Sequence, residues 1–132
     1  MGSGPMPDKA ESINEKVRGT VLRLSEPLYF LVVDAANGLI METEHPQYGR
    51  SIKDRILVLP GVRGGAATPS QLCDALRQGN GPLAIVLKTP DAALAAGAWV
   101  AKEFYDVHLP VIYLNRDEYD ALNHGEPVEL SV

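Results

Sequence analysis

Apolar positions follow two different rhythms along this chain, and the change falls near residue 50. Through residues 17–49 they come in short runs separated by polar turns. Val17, Thr20, Val21, Leu22 and Leu24 form a β-branched, partly alternating stretch that predicts a strand. Leu28-Tyr29-Phe30-Leu31-Val32-Val33 is a continuous apolar run, long enough for a buried strand but too short for a helix of its own. Asp34-Ala35-Ala36-Asn37-Gly38 then supplies turn chemistry, because Asn-Gly accepts positive φ. Leu39-Ile40-Met41 resumes as a strand, so this half reads as a β-meander.

The second half alternates strand with helix. Ile56-Leu57-Val58-Leu59 is a short apolar strand stopped by Pro60, and a glycine-rich loop leads into helical spacing over residues 70–78. Leu83-Ala84-Ile85-Val86-Leu87 is the next buried strand, followed by a longer helix over residues 91–105. Pro110-Val111-Ile112-Tyr113-Leu114, a short helix over 116–123 and a last strand over 128–130 complete the series. Strands joined by helical crossovers predict a mainly parallel sheet. The fold class expected is therefore α/β, with a mainly parallel sheet and an N-terminal β-meander.

Helix starts are well marked. Thr68 before Pro69, with Gln71 in the capping-box position, predicts a capped N-terminus. Thr89-Pro90 repeats the device, and Asn115 with Glu118 does so for the third helix. Gly79 and Gly125 are the expected stops. The 91–105 helix is apolar nearly all round, which predicts burial against the sheet, with Trp99, Phe104 and Tyr105 in the core.

Composition narrows the function classes. The 132 residues suffice for one domain with a proper core, at 45% hydrophobic and 22% charged. Net charge is −5 and no Lys/Arg cluster appears, so a nucleic-acid partner is not expected. No apolar run approaches the ~20 residues of a membrane span, and a cytoplasmic protein is the expectation. One cysteine, Cys73, permits no internal disulfide and cannot hold a metal alone. Met1-Gly2-Ser3-Gly4-Pro5 reads as a cloning remnant, with Met6 as the native start. Residues 1–16 are expected to form a flexible N-terminus and 17–132 the domain.

Candidate chemistry centres on Gly61-Val62-Arg63-Gly64-Gly65, which joins a strand to a helix start. Backbone N–H groups there favour an anion, and Arg63 could clamp a carboxylate or phosphate. The bland reading is a tight turn with a solvated arginine. His45, His108 and His124 lie in separate segments without metal-ligand spacing. His45, at a turn before Pro46, is the one of interest; His124 reads as a charge at a helix C-terminus. Cys73 reads as a small buried hydrophobe, and Glu42-Thr43-Glu44 as solvated surface.

Taken in order, Ser25-Glu26-Pro27-Leu28, Asp34…Asn37-Gly38, His45-Pro46…Gly49-Arg50-Ser51-Ile52 and Ile56-Leu57-Val58-Leu59-Pro60-Gly61…Arg63-Gly64 resemble the swivelling domain of aconitase X. The likeness continues through Thr89-Pro90-Asp91-Ala92-Ala93-Leu94-Ala95-Ala96-Gly97 and Leu109-Pro110-Val111-Ile112. The resemblance implies a swivelling β/β/α fold that closes over a larger catalytic domain, fused or in a separate large subunit. It implies dehydration of a small hydroxy acid, a phosphorylated mevalonate or a hydroxyproline. It also implies no cofactor in this chain, with iron or an iron–sulfur site in the large partner.

Two departures from the family pattern bear on the chemistry. The family loop runs Gly-x-Arg-Gly-Ser, its serine the proposed proton acceptor; here Gly65, or Ala66 with a one-residue slip, stands in that place. A glycine pair usual before the aspartate matching Asp34 is Val32-Val33. Substrate-binding candidates are Leu31, Val32, His45, Tyr48, Arg63, Gly64, Gly65, Ala66, Ala67 and Thr68, with no catalytic residue assigned. The alternative is a stand-alone, repurposed swivel domain: a cofactor-free isomerase or cyclase, or a binding protein for an apolar small molecule. That reading predicts a pocket lined by Leu31, Val32, Ala66, Ala67 and Tyr48.

Overall fold

A computed structural model describes residues 15–63 and 65–132, so the expectations for residues 1–14 and for Gly64 lie outside the described residues. Strand β1 (Lys16–Arg23) opens the fold, and β2 (Leu28–Tyr29) follows. Next come β3 (Arg55–Val58), β4 (Val62–Arg63), α1 (Thr68–Arg77) and β5 (Ala84–Leu87). The chain ends through α2 (Ala92–Tyr105), β6 (Val111–Tyr113), α3 (Arg116–Asp120) and β7 (Pro127–Ser131). Five strands form one sheet in the order β6-β5-β3-β1-β7. All neighbours are parallel except β7, which runs antiparallel to β1 with Gly19 opposite Val128. The mainly parallel α/β sheet expected from the sequence is the one observed.

Both faces of that sheet are covered, which is why its central strands read as unbroken apolar runs. Leu22, Leu57, Leu59, Ile85 and Leu87 pack with Leu72, Leu76, Leu94 and Ala101 of α1 and α2. Val21, Ile56, Val58, Ala84 and Val86 pack with Tyr119 and Leu122 at α3. The helices α1 and α2 therefore share one face and α3 takes the other.

The N-terminal half departs from a regular meander. Of the apolar run 28–33 only Leu28–Tyr29 is a strand, paired parallel to Val62–Arg63 in a separate two-stranded sheet. Phe30–Val32 then forms a single 3-10 turn, closed by the Val33 N–H on the Phe30 carbonyl at 3.0 Å. The run is apolar because Leu28, Phe30 and Val33 all reach the core, not because it is extended throughout. The 39–41 strand shrinks to isolated antiparallel bridges, Val33 to Ile40 and Leu39 to Ser51.

Capping also differs in detail. Asn115 and Glu118 form the expected box at α3, but α3 stops at Asp120, well short of Gly125. At α2 the cap is Asp91, whose carboxylate accepts the Leu94 N–H at 3.0 Å, rather than Thr89. At α1 no side chain caps the helix: Ala67 holds the cap position and Thr68 is already inside the first turn. Gly79 ends α1 as expected, at φ +78°.

The 91–105 helix is only partly buried, against expectation. Leu94, Gly97 and Ala101 face inward, whereas Trp99 is 60% and Phe104 70% exposed. Gly97 lies against Pro69 of α1, so the helix seats closely along the Leu94–Gly97–Ala101 stripe and leaves its aromatics outside. Trp99 and Phe104 meet edge to face, with centroids 6.4 Å apart. His124 accepts the Arg23 N–H on Nδ1 at 3.2 Å, so it ties β1 to the α3–β7 turn instead of compensating a helix end.

Candidate functional site

In open α/β sheets, ligands bind beyond the carboxyl ends of the strands, where connections diverge to the helices. Here that edge is formed by the segment after β3, running through β4 to the first turn of α1, and by the start of α2. Gly65 and Ala66 are exposed there, Ala67 is half-buried and Thr68 is fully buried. A side chain built at Gly65 would meet only Ala93 of α2, at 4.0 Å, so the two helix starts flank an open position.

Arg63 is committed to an internal partner. Its Nη2 donates to the Glu42 carboxylate, while the other oxygen of Glu42 accepts the Tyr29 N–H at 3.2 Å. Glu42 is thereby a largely buried hinge between β2 and β4, not solvated surface as its sequence context suggests. No local signal in the sequence reveals this pair, because Glu42 and Arg63 meet only after β2 and β4 align. Removing the carboxylate orphans a backbone N–H and a guanidinium together. Glu42→Ala should therefore lower stability by about 1–2 kcal/mol in thermal melts, a range that allows for the half-exposed arginine.

Leu31 and Val32 lie in the 3-10 turn that adjoins the same edge. Gln71 of α1 donates from Nε2 to the Leu31 carbonyl at 3.1 Å, so its amide staples this turn to α1 in place of the capping role expected for it. Leu31 is exposed at 47%, and the Val32 carbonyl accepts the Met41 N–H at 2.9 Å. Val33 packs into the core and Val32 is half-buried.

His45 is not available to a substrate. It is 3% exposed; Nδ1 accepts the Gln47 N–H at 3.0 Å, and Nε2 stands 3.3 Å from the Glu26 carbonyl. A carbonyl only accepts, so the proton is on Nε2 and both nitrogens are used. Gln47 in turn accepts the Ser25 N–H at 3.1 Å, which locks the 25–27 loop to the 43–49 turn. Tyr48 sits half-exposed on that turn.

A cleft of about 500 Å³ opens between α1 and α2, lined by Ser70, Gln71, Cys73, Arg77, Val100 and Tyr105. It does not involve the residues expected to line an apolar pocket. Cys73 is nearly buried at its edge, and burial, helped by the charge of Asp74, pushes its thiol above the ordinary range. The thiolate fraction falls accordingly, so iodoacetamide at pH 7.5 should label Cys73 at least about tenfold more slowly than the same chain in denaturant. Equal rates would show that the α1–α2 seam opens freely.

Among the described residues, no group of three or more His, Cys, Asp or Glu side chains is placed to hold a metal ion. No helix among the described residues is long and apolar enough to cross a membrane.

The architecture is that of a swivelling domain. The crystal structure of Thermococcus kodakaraensis aconitase X in its holo form matches it with a TM-score of 0.77 at 25% identity, over 91% of this chain and 86% of that one. The chain belongs to the aconitase X swivel domain family, whose model matches residues 8–132. Cis-3-hydroxy-L-proline dehydratase of Pseudomonas aeruginosa is 37% identical over 90 residues, which are 68% of this chain but 15% of that protein. The phosphomevalonate dehydratase small subunit of Methanothermobacter thermautotrophicus is 34% identical over 87 residues, 65% of this chain and 66% of that subunit. The chain therefore spans a small part of the first relative and just under two thirds of the second.

Proposed function

We propose that this chain is the swivelling small subunit of an aconitase X-type hydro-lyase acting on a small hydroxy acid, and that it closes over a large subunit carrying any iron. The observation that carries the reading is the exposed Gly65–Ala66 segment at the strand ends, between the starts of α1 and α2, in a chain of this family. A single open edge cannot enclose a substrate, but a cap that closes on a partner can exclude water and complete a site. Exposed Leu31, Met41, Trp99 and Phe104 support a chain that buries surface elsewhere. In this reading the 65–67 backbone and the first turn of α1 face the substrate anion. Arg63 reaches it only by exchanging Glu42 for the substrate's carboxylate or phosphate. In this reading the loop lacks a proton-transfer hydroxyl, so turnover by the complex is slow and rests on the acid–base groups that the large subunit retains.

A second reading, a stand-alone protein for an apolar ligand, draws on the loop itself: Gly65, Ala66 and Ala67 carry nothing larger than a methyl, and Leu31 is exposed. One preparation separates the two. The tagged chain is co-expressed with an aconitase X-type large subunit, and the complex is assayed for water loss from phosphomevalonate and from cis-3-hydroxy-L-proline. A one-to-one, iron-containing complex that dehydrates either acid is the expected result. A chain that stays alone and iron-free would sink the dehydratase reading and leave the apolar-ligand one.

A further inference from the structure

Glu42 and Arg63 form an unequal pair. The Glu42 side chain is 18% exposed, and its Oε1 accepts the Tyr29 N–H at 3.2 Å while the other oxygen takes Arg63. Its backbone carbonyl accepts the His45 N–H at 2.9 Å, and the His45 ring is fixed on Glu26 and Gln47. The carboxylate is therefore anchored from both ends and cannot follow a departing partner. Arg63 is held far less. Its side chain is 46% exposed, and among the described residues only its Nη2 is bonded, to this one carboxylate. The long arginine reached by solvent is thus the member that moves, at the cost of one exposed ion pair. It ends β4, two positions before the exposed Gly65. Tyr29 and Arg63 are register partners in the β2–β4 pair, so Glu42 bonds both members of one cross-strand pair. A carboxylate seated on that guanidinium has the same chemistry as the carboxylate or phosphate of a ligand.

We propose that Glu42 is a built-in competitor for the oxyanion that Arg63 binds, and so a positioning residue that sets the affinity of the site. The inference rests on the reading of Arg63 and the 65–67 segment as the substrate-facing edge. An oxyanion gains Arg63 only in the fraction of molecules where the arginine has left Glu42, and apparent affinity falls by that fraction. A half-exposed, charge-assisted bond keeps Arg63 on Glu42 in about nine molecules of ten, which lowers affinity about tenfold. The exchange leaves the carboxylate on the Tyr29 N–H alone, so that amide reports it. Anions that offer a single weak contact are kept off the open edge. A ligand held by further contacts wins the arginine.

The test follows amide spectra of the free chain in titrations with inorganic phosphate and, separately, with lactate as a hydroxy-carboxylate. Glu42→Gln keeps an acceptor for the Tyr29 N–H but offers Arg63 no charge. Affinity should be about tenfold tighter in Glu42→Gln than in the parent, and the parent's Tyr29 amide should shift as the anion saturates. The arm that saturates identifies a phosphoryl or a carboxylate ligand. Equal or weaker affinity in Glu42→Gln would overturn the inference, because a merely structural ion pair does not hold anions off. Saturation that leaves the parent's Tyr29 amide unmoved would overturn it as well, and this readout stands if the glutamine variant does not fold. So would the absence of saturation in both proteins with both anions. In the large-subunit complex, Glu42→Gln should lower KM for the acid about tenfold. An active complex with unchanged KM would sink this inference alone. Tighter anion binding by a Glu42→Gln chain that forms no complex would sink the dehydratase reading alone.

Discussion

Gly38→Ala should cost about 3 kcal/mol and lower Tm by about 12 °C. Two effects add. Gly38 sits at φ +77°, where a Cβ meets its own carbonyl, at about 1–2 kcal/mol. A Cβ here would also lie 2.7 Å from the Asn80 carbonyl oxygen, a backbone atom that cannot rotate away. Asn80 is itself anchored, since its Nδ2 donates to the Ala35 carbonyl at 3.0 Å, so the two loops cannot simply part. Gly49→Ala separates the terms: its φ is +85° but nothing lies within 4 Å of the added carbon, so only the backbone cost of about 1 kcal/mol applies. Chemical denaturation of both variants checks this. Equal losses would show that the 34–38 turn and the Asn80 loop move apart at little cost.

The same turn shows which parts of this molecule are legible in its sequence. Asn37-Gly38 announces a turn because the requirement is local, and so do the buried β3 and β5 strands, whose apolar runs reflect a sheet covered on both faces. The Asn80 contact across the turn is invisible, because it depends on where α1 delivers the chain. The family, and with it the mainly parallel sheet, follows from motifs spread along the whole chain. The candidate site is less legible for the same physical reason. Arg63 points to an anion until Glu42, twenty-one positions earlier, takes its guanidinium. His45 invites a functional role until Gln47 and Glu26 use both nitrogens. Trp99 and Phe104 satisfy a helical apolar pattern and yet face outward, since periodicity records spacing but not how wide a stripe the neighbouring helix can cover.

Under the proposed function, Gly65→Ser should leave stability within about 0.5 kcal/mol of the parent while raising hydro-lyase turnover of the complex by about 10- to 100-fold. The structural half follows from the position. Gly65 is exposed, its φ is not left-handed, and the new Cβ would touch only Ala93 at 4.0 Å, an ordinary contact distance. Under the proposed function, the serine hydroxyl would then stand at the strand ends between α1 and α2 as a proton acceptor for the loop. A positioned general base contributes about 10²–10⁴-fold, and the lower estimate here allows for a site that has adjusted to the loss. Rate and melt must be read together. Higher turnover with unchanged Tm would mean that the ancestral chemistry persists and the loop was its missing part. Unchanged turnover in an assembled, active complex would mean that the proton moves through large-subunit groups and that the loop only binds. A complex inactive with either residue would count against dehydration, because it would then lack the reaction even with the family's hydroxyl restored.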